Sequence, residues 1–278
     1  MVNASKKLRK IFDADKLIIG CRKSARDKIK NATHKNGALI WSKLPNLLTL
    51  NPKVIKGEKY GYMTAILHFA PSSWSGYNFC AFASLGCGVE CLTTSGHGQR
   101  HMIHNGSHHV HIARIIRAML YMEFREQFMA KLQREIAAHE RRAKRSNAIP
   151  CIRLNGSSYR LWEREQPHIF AMFPNVTYYD YTKVPNRDVS HIPNYTLTFS
   201  RNETNDSVAW SQPLNVAFVA RIGKNDPLPK LYRGRDVISG DIHDLRFLDG
   251  KNKAVLLTPK GNAYLDQSGF VVDIPTAA

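Results

Sequence analysis

Short β-type runs recur along the chain, and this recurrence is the feature that most constrains its fold. Each run is rich in β-branched and aromatic residues. The later runs begin about twenty residues apart, with polar linkers or short helical patches between them, which predicts strand–helix units in a parallel sheet or partial barrel. The predicted strands are 62–71, 150–156, 175–183, 194–200, 215–222 and 253–259.

A long helix is predicted between the first two strands. Apolar side chains recur at helical spacing from Ile112 to about Ala143. Basic residues at 141–145 follow, where cations suit the negative end of the helix dipole. The predicted fold class is therefore α/β, a partial (β/α) barrel with a basic N-terminal extension.

Polar residues occupy the ends of three predicted strands, at 155–158, 180–183 and 200–203. In parallel α/β folds the working site gathers at the carboxyl ends of the strands. These three segments therefore mark the expected place of a binding site.

Three cysteines, Cys80, Cys87 and Cys91, lie in a Gly- and Ser-rich loop directly after the first predicted strand. Three thiolates on one loop can hold three irons of a [4Fe–4S] cluster and leave the fourth iron open to an exogenous ligand. A zinc site is the alternative, and it needs a fourth ligand such as a histidine. A third interpretation is three small buried residues with no metal. The spacing lacks the paired C-x2-C of zinc ribbons, so iron–sulfur is favoured.

Half of the twelve histidines fall in the loop that follows the cysteines. They fit a metal site, a proton donor, phosphate contacts or an ordinary polar loop, and the sequence does not choose among these. His97, His101 and His104 are the candidates for the fourth zinc ligand. The histidines are His97, His101, His104, His108, His109 and His111.

Several classes of protein are excluded by absent signals. The chain has no run of eighteen apolar residues and no apolar stretch in its basic N-terminus, so no membrane span, membrane partner or signal peptide is expected. Five cysteines, three of them clustered, argue against a disulfide framework. Phosphate-binding and dinucleotide-binding glycine motifs are missing. We expect a cytoplasmic protein.

The net charge of +18, from 40 Lys and Arg against 22 Asp and Glu, predicts a polyanionic partner, most simply nucleic acid. Fifteen of the basic and four of the acidic residues fall within residues 1–60. We therefore divide the chain into a basic N-terminal arm, 1–57, and an α/β domain, 58–278, that holds the cysteines. The cations expected to contact nucleic acid are Lys6, Lys7, Arg9, Lys10, Arg22 and Lys23.

Six segments, spread over residues 51–272, resemble in the same order a phage protein family of unknown function named after gene product 88 of a mycobacteriophage. This resemblance implies a phage origin and the cytoplasm of the host cell. The segments are 51–98, 153–163, 173–183, 195–205, 237–249 and 266–272.

The order of the cysteine loop, RLNGSS, YDYTK and TFSRNETN is also distantly similar to radical S-adenosylmethionine (SAM) proteins. This similarity implies a partial TIM barrel of radical-SAM type, with Cys80, Cys87 and Cys91 as cluster ligands and SAM on the fourth iron. Those proteins space their cysteines C-x3-C-x2-C, whereas this chain has C-x6-C-x3-C. Residues at later strand ends are then expected near SAM or substrate, namely Asn155, Ser157, Lys183, Ser200 and Asn202.

Two functions are left open. The favoured one is an iron–sulfur enzyme of radical-SAM type that acts on nucleic acid or nucleotides. The alternative is a non-catalytic, metal-stabilised protein that binds nucleic acid or a host factor, in which the metal only stabilises the loop. The substrate and the oligomeric state are not determined by the sequence.

Overall fold

The computed structural model describes residues 2–50, 52–91, 108–222 and 227–274, with the side chains of the first helix from Lys16 onward. Within this part of the chain, ten strands form one sheet, which confirms the α/β class. The strands are β1 Leu48–Thr49, β2 Tyr62–Leu67, β3 Ile149–Arg153, β4 Thr177–Thr182, β5 Tyr195–Ser200, β6 Val216–Arg221, β7 Leu231–Tyr232, β8 Arg235–Ser239, β9 Lys253–Leu257 and β10 Val271–Asp273.

The sheet is mostly parallel, and its order is β1-β2-β3-β4-β5-β6-β9-β8-β7, with β10 paired to β6. From β2 to β6 each strand lies beside the next strand in the chain, and every pair is parallel. Antiparallel pairing is confined to the two margins, where β1 pairs with β2 and β7 pairs with β8. The sheet stays open, since β1 and β7 are its outer strands and no described pairing joins them.

Helices lie in the connections from β2 to β3, β3 to β4 and β5 to β6, and helices pack on one face of the sheet. Among the described residues, no helix is long and apolar enough to cross a lipid bilayer. Short 3-10 turns lie at Trp41–Lys43, Glu58–Tyr60, Arg246–Leu248 and Gly261–Leu265. The α-helices are α1 Val2–Asn31, α2 Pro52–Ile55, α3 Leu85–Val89, α4 His109–Glu123, α5 Arg125–Arg145, α6 Trp162–Glu165, α7 His168–Met172 and α8 Asp206–Ser211.

The long helix predicted over 112–143 is two helices, α4 and α5, with a break at Phe124. The φ and ψ of Phe124 are −132° and 46°, outside the helical region. The side chain of Arg125 donates from Nε to the carbonyl oxygen of Tyr121 at 2.6 Å, the acceptor that a continuous helix would offer to the Arg125 backbone N–H. Apolar spacing continues across the break through Phe128, so periodicity did not reveal it.

Neighbouring residues of each strand face opposite sides of the sheet, and the two sides are packed differently. Ile152, Tyr178 and Leu197 face the helices and belong to the largest core cluster. Tyr179 faces the other side, which we call the inner face, where it packs with Cys151 and Leu245. The segment 243–249 therefore covers the inner face at the amino ends of β2 to β4.

The described part of the N-terminal arm packs on the largest core cluster. In α1, Cys21, Ala25 and Ile29 recur at helical spacing and are buried. Arg22 donates from Nε to the carbonyl oxygen of Trp74 at 3.0 Å and from Nη2 to that of Ser73 at 2.9 Å. These two bonds tie α1 to the loop that holds the cysteines.

Candidate functional site

The carboxyl ends of β2, β3, β4 and β5 lie side by side, because these strands are parallel and adjacent. The cysteine loop leaves β2, the RLNGSS segment leaves β3, and Lys183 and Ser200 lie at the ends of β4 and β5. The structure thus brings the polar strand ends together with the cysteines at one edge of the sheet, as the parallel arrangement predicts.

The cysteine loop is held in shape by local hydrogen bonds. The Asn78 side-chain oxygen accepts from the backbone N–H of Cys80 at 2.8 Å. Ser84 is the N-cap of α3, and its hydroxyl accepts from the backbone N–H of Cys87 at 3.2 Å. The thiol of Cys80 donates to the carbonyl oxygen of Ser157 at 3.6 Å. Cys80 and Cys87 therefore occupy defined positions next to the β3 strand end.

The three thiols share one electrostatic environment. Burial raises the pKa of Cys80 to about 12 and also raises the pKa of Cys87. Negative charge on Cys91 raises both values further, whereas the Lys183 ammonium lowers both. Because such charge effects weaken with distance, the three thiols and the ammonium belong to one site.

Lys183 is the buried cation of this site, with 2% of its surface exposed. Its Nζ donates to the Ser200 hydroxyl at 2.6 Å and lies 5.6 Å and 5.8 Å from the ring centres of Tyr159 and Phe270. Burial lowers the pKa of Lys183, and negative charge on Cys87 raises it again. Ionised thiols and the charged lysine therefore stabilise each other.

Glu203 joins the end of β5 to the cysteine loop. Its carboxylate accepts from the backbone N–H of Gly86 and from the Ser84 hydroxyl, each at 2.7 Å. A Cβ at position 86 would lie 2.2 Å from the Ser268 hydroxyl and 2.8 Å from Glu203, so only glycine fits there. This contact fixes the turn that presents Cys87.

The other residues predicted near SAM have structural partners at the same edge. The Asn155 side chain donates to Asp180 and to the carbonyl oxygen of Arg160, and it accepts from Ser158 and from the N–H of Arg160. The Ser157 hydroxyl donates to the carbonyl oxygen of Phe69 at 2.6 Å. Asn155 therefore organises the turn after β3.

Asn202 connects the turn after β5 with the cysteine loop. Its side-chain oxygen accepts from the backbone N–H groups of Thr204 and Asn205, and its amide donates to the carbonyl oxygen of Phe82 at 3.4 Å. Asn202 thus contacts the cysteine loop, and Ser200 contacts Lys183, at the edge where their strand-end positions placed them.

The donor chemistry of the three thiols suits an iron–sulfur cluster better than a hard cation, because thiolates are soft ligands and the neighbouring lysine balances their charge. Within the described ranges, however, no three His, Cys, Asp or Glu side chains are already close enough together to hold a metal ion. The donor set and its nearby cation are of the kind that an iron–sulfur cluster uses, whereas the described side chains are not arranged as a metal-binding group.

Several predicted residues lie away from this site or outside the described part of the chain. The side chains of Lys6, Lys7, Arg9 and Lys10 are outside the described residues, as are His97, His101 and His104. Lys23 is exposed on α1, whereas Arg22 is bonded to the cysteine loop. His111 is buried, with its ring 5.5 Å from the ring of Trp74.

Tyr159 is a site residue that the sequence did not single out, whereas Glu203 was predicted only as part of the polar segment 200–203. A hydrogen bond from Tyr159 lowers the pKa of Cys87, and burial together with the thiols raises the pKa of Tyr159 itself. Tyr159 follows the predicted strand 150–156 by three residues, directly after the predicted polar segment 155–158. That position was its one signal in the sequence.

Comparison with known proteins gives one match. A family model described as gene product 88 matches residues 30–274. No curated protein and no solved structure matches the chain. The similarity to radical SAM proteins therefore stays a prediction.

Proposed function

This chain belongs to the gene product 88 family of phage proteins, and we propose that it is an iron–sulfur enzyme of radical-SAM type. The observation that supports this most is the position of the three thiols. They follow the first of five parallel strands that lie in chain order, and they share one site with a buried lysine at the carboxyl ends of those strands.

The open sheet supports the finer fold assignment, a partial (β/α) barrel of radical-SAM type. In such a barrel, consecutive parallel strands lie side by side, and ligands bind at their carboxyl ends. The strands from β2 to β6 have this order. The segment 243–249 then closes the amino end of the inner face and leaves the opposite end for ligands.

The chain's own residues have distinct parts in this proposal. Cys80, Cys87 and Cys91 supply three thiolates, and Lys183 offsets part of their negative charge. Glu203 holds the turn that presents Cys87. When bound, the cluster supplies one electron to the sulfonium of SAM, which releases methionine and leaves a carbon radical for hydrogen abstraction.

Reconstitution without oxygen tests the proposal. Protein incubated with iron and sulfide should bind about four of each per chain and turn brown. With dithionite and SAM it should then form methionine and 5′-deoxyadenosine. Loading should improve as pH rises, because burial raises the pKa of Cys80 and Cys87 and both thiols must lose their protons to bind iron. A colourless protein that retains one zinc per chain contradicts the proposal and favours a metal-stabilised binding protein.

We also propose that the substrate is nucleic acid or a nucleotide, held in part by the basic arm. Lys16, Lys23 and Lys30 recur every seven residues on α1, share one side of the helix and are exposed. Reversing all three to glutamate should weaken binding of single-stranded DNA or RNA at least tenfold at low salt. The slope of log affinity against log salt should shrink by about two, since each lost contact to a single strand removes about 0.7. Fluorescence anisotropy at several salt concentrations measures both quantities.

A matched control separates a local contact from net charge. Lys56, Lys230 and Lys251 are also exposed, and reversing them changes the net charge equally. If the control variant weakens binding as much as the α1 variant does, the proposal that Lys16, Lys23 and Lys30 contact nucleic acid is wrong. These substitutions are preferable to deletion of the arm, since deletion removes the buried Ala25 and Ile29 from the core.

A further inference from the structure

A polar cluster lies on the inner face beside the thiols. Ile66 of β2 pairs with Arg153 of β3, so His68, two residues beyond Ile66, lies on the same face as Arg153. Ile152 pairs with Tyr178, so Arg153 is beside Tyr179, and Tyr181 follows on the same face. We call His68, Arg153 and Tyr181 the inner-face cluster.

The floor beneath the inner-face cluster is formed by the segment 243–249. Asp244 accepts from Arg153 Nη1 at 2.7 Å, and both side chains are buried. Arg246 and Asp249 form a second buried ion pair at 3.1 Å. The guanidinium carbon of Arg153 lies 5.1 Å from the ring centre of Tyr181. Two compensated ion pairs thus surround the tyrosine.

Each member of the inner-face cluster has a buried polar atom without a hydrogen-bond partner among the described residues. These atoms are Nδ1 of His68, Nε of Arg153 and the hydroxyl oxygen of Tyr181. A buried polar group without a partner destabilises the folded protein. Three such groups at adjacent strand ends are explained by a ligand that supplies the missing hydrogen bonds.

The chemistry of these atoms specifies the ligand. The Arg153 Nε–H can only donate, the Tyr181 hydroxyl can donate, and a neutral histidine can donate from Nδ1. Burial, followed by the positive charges of Arg114, Arg153 and Arg117, holds the pKa of His68 well below its usual range, and Asp244 opposes these charges. Three donors, one of them on the guanidinium of Arg153, suit an oxyanion.

The glycine of RLNGSS places this cluster next to the thiols. A Cβ at Gly156 would lie 2.5 Å from Nδ1 of His68, so the imidazole rests against the glycine backbone. The next residue, Ser157, accepts from the Cys80 thiol. A group bound by His68 is therefore close to the residues proposed to hold the cluster.

We infer that the inner-face cluster binds the phosphate of a nucleotide substrate. The oxyanion site itself rests on the three unpartnered atoms, whereas its assignment to the substrate rests on the proposed function. Tyr181 and Arg153 hold the phosphate oxygens from the inner face, and the nucleoside extends toward the thiols. The ligand class is a nucleoside phosphate.

Two tyrosines on the same strand provide the test. Tyr181→Phe removes a hydroxyl that has no hydrogen-bond partner among the described residues, whereas Tyr179→Phe removes one that donates to the Thr64 hydroxyl at 3.4 Å. The full chain, without iron, is titrated with AMP and with inorganic phosphate by calorimetry. We expect Tyr181→Phe to weaken AMP binding about tenfold without lowering the Tm of the ligand-free protein. Tyr179→Phe should leave AMP affinity unchanged.

Other outcomes overturn the inference. If Tyr181→Phe lowers the Tm of the ligand-free protein and leaves AMP affinity unchanged, the hydroxyl of Tyr181 stabilises the fold and does not bind the ligand. If methionine or SAM displaces AMP from the site, the oxyanion bound there is the amino-acid carboxylate and the assignment to substrate is wrong. Because the titration needs neither iron nor reductant, failure to cleave SAM contradicts the proposed function alone, and failure to bind AMP contradicts this inference alone.

Discussion

Cys87→Ala should abolish SAM cleavage and lower iron content to background, with a loss of activity of at least a hundredfold. Three thiolates are the minimum that holds a cluster with one open iron, and the remaining two cannot replace the lost ligand. The backbone N–H of Cys87 still donates to the capping Ser84, so the loop turn persists. Iron and sulfide analysis of protein reconstituted without oxygen, with assay of 5′-deoxyadenosine, measures the effect.

Cys21→Ala is the matched control for this variant. Cys21 is a free cysteine buried between α1 and the core, remote from the three thiols in the chain, and burial raises its pKa. Its replacement should lower the Tm slightly while iron content and SAM cleavage stay normal. If Cys21→Ala loses iron as Cys87→Ala does, or if Cys87→Ala keeps its iron and its activity, the proposed ligands are wrong.

Arg187→Met should destabilise the protein by about 3–5 kcal/mol, the usual cost of leaving one partner of a buried ion pair without its counter-charge. Arg187 and Glu163 are 1% and 4% exposed, and the guanidinium binds both carboxylate oxygens, at 3.0 Å and 2.7 Å. Arg187 also donates to the Tyr195 hydroxyl, which donates to Asp180. Urea unfolding, with free energies extrapolated to water, measures the loss.

Two further variants decide whether the unpaired buried charge causes the loss of stability in Arg187→Met. Arg187→Met combined with Glu163→Leu removes both charges and should recover most of the lost free energy. Arg26→Met breaks the pair with Glu123, where Arg26 is 51% exposed, and should cost less than about 1 kcal/mol. A double variant as unstable as Arg187→Met would show that packing around Arg187, and not its charge, supports the turns after β3 and β4.

Local patterns in the sequence were sufficient for the strands that build the site. Strands β2, β4, β5, β6 and β9 lie within the predicted runs, and β3 begins one residue before its run, because buried parallel strands need continuous apolar and β-branched residues. The short strands β1, β7, β8 and β10 were not predicted. Two to five residues of mixed polarity leave no periodic signal, and their pairing depends on a neighbour that is distant in the chain.

The sequence by itself determined the clustering of the three cysteines, their place after the strand that became β2, and the polar strand ends. A parallel order of strands is enough to bring such ends to one edge. The basic charge of the N-terminal arm is likewise a property of the sequence, since it depends only on composition.

Only the tertiary structure decided which side chains meet at that edge. Lys183 is the counter-charge of the thiols because β4 lies two strands from β2. Glu203 accepts a hydrogen bond from the backbone N–H of Gly86, which lies 117 positions earlier in the chain. The helix break at Phe124 and the packing of segment 243–249 on the inner face could not be predicted from the sequence either, since both depend on contacts and not on periodicity. Spacing along the chain determines which elements form, whereas packing between distant elements determines what each side chain faces.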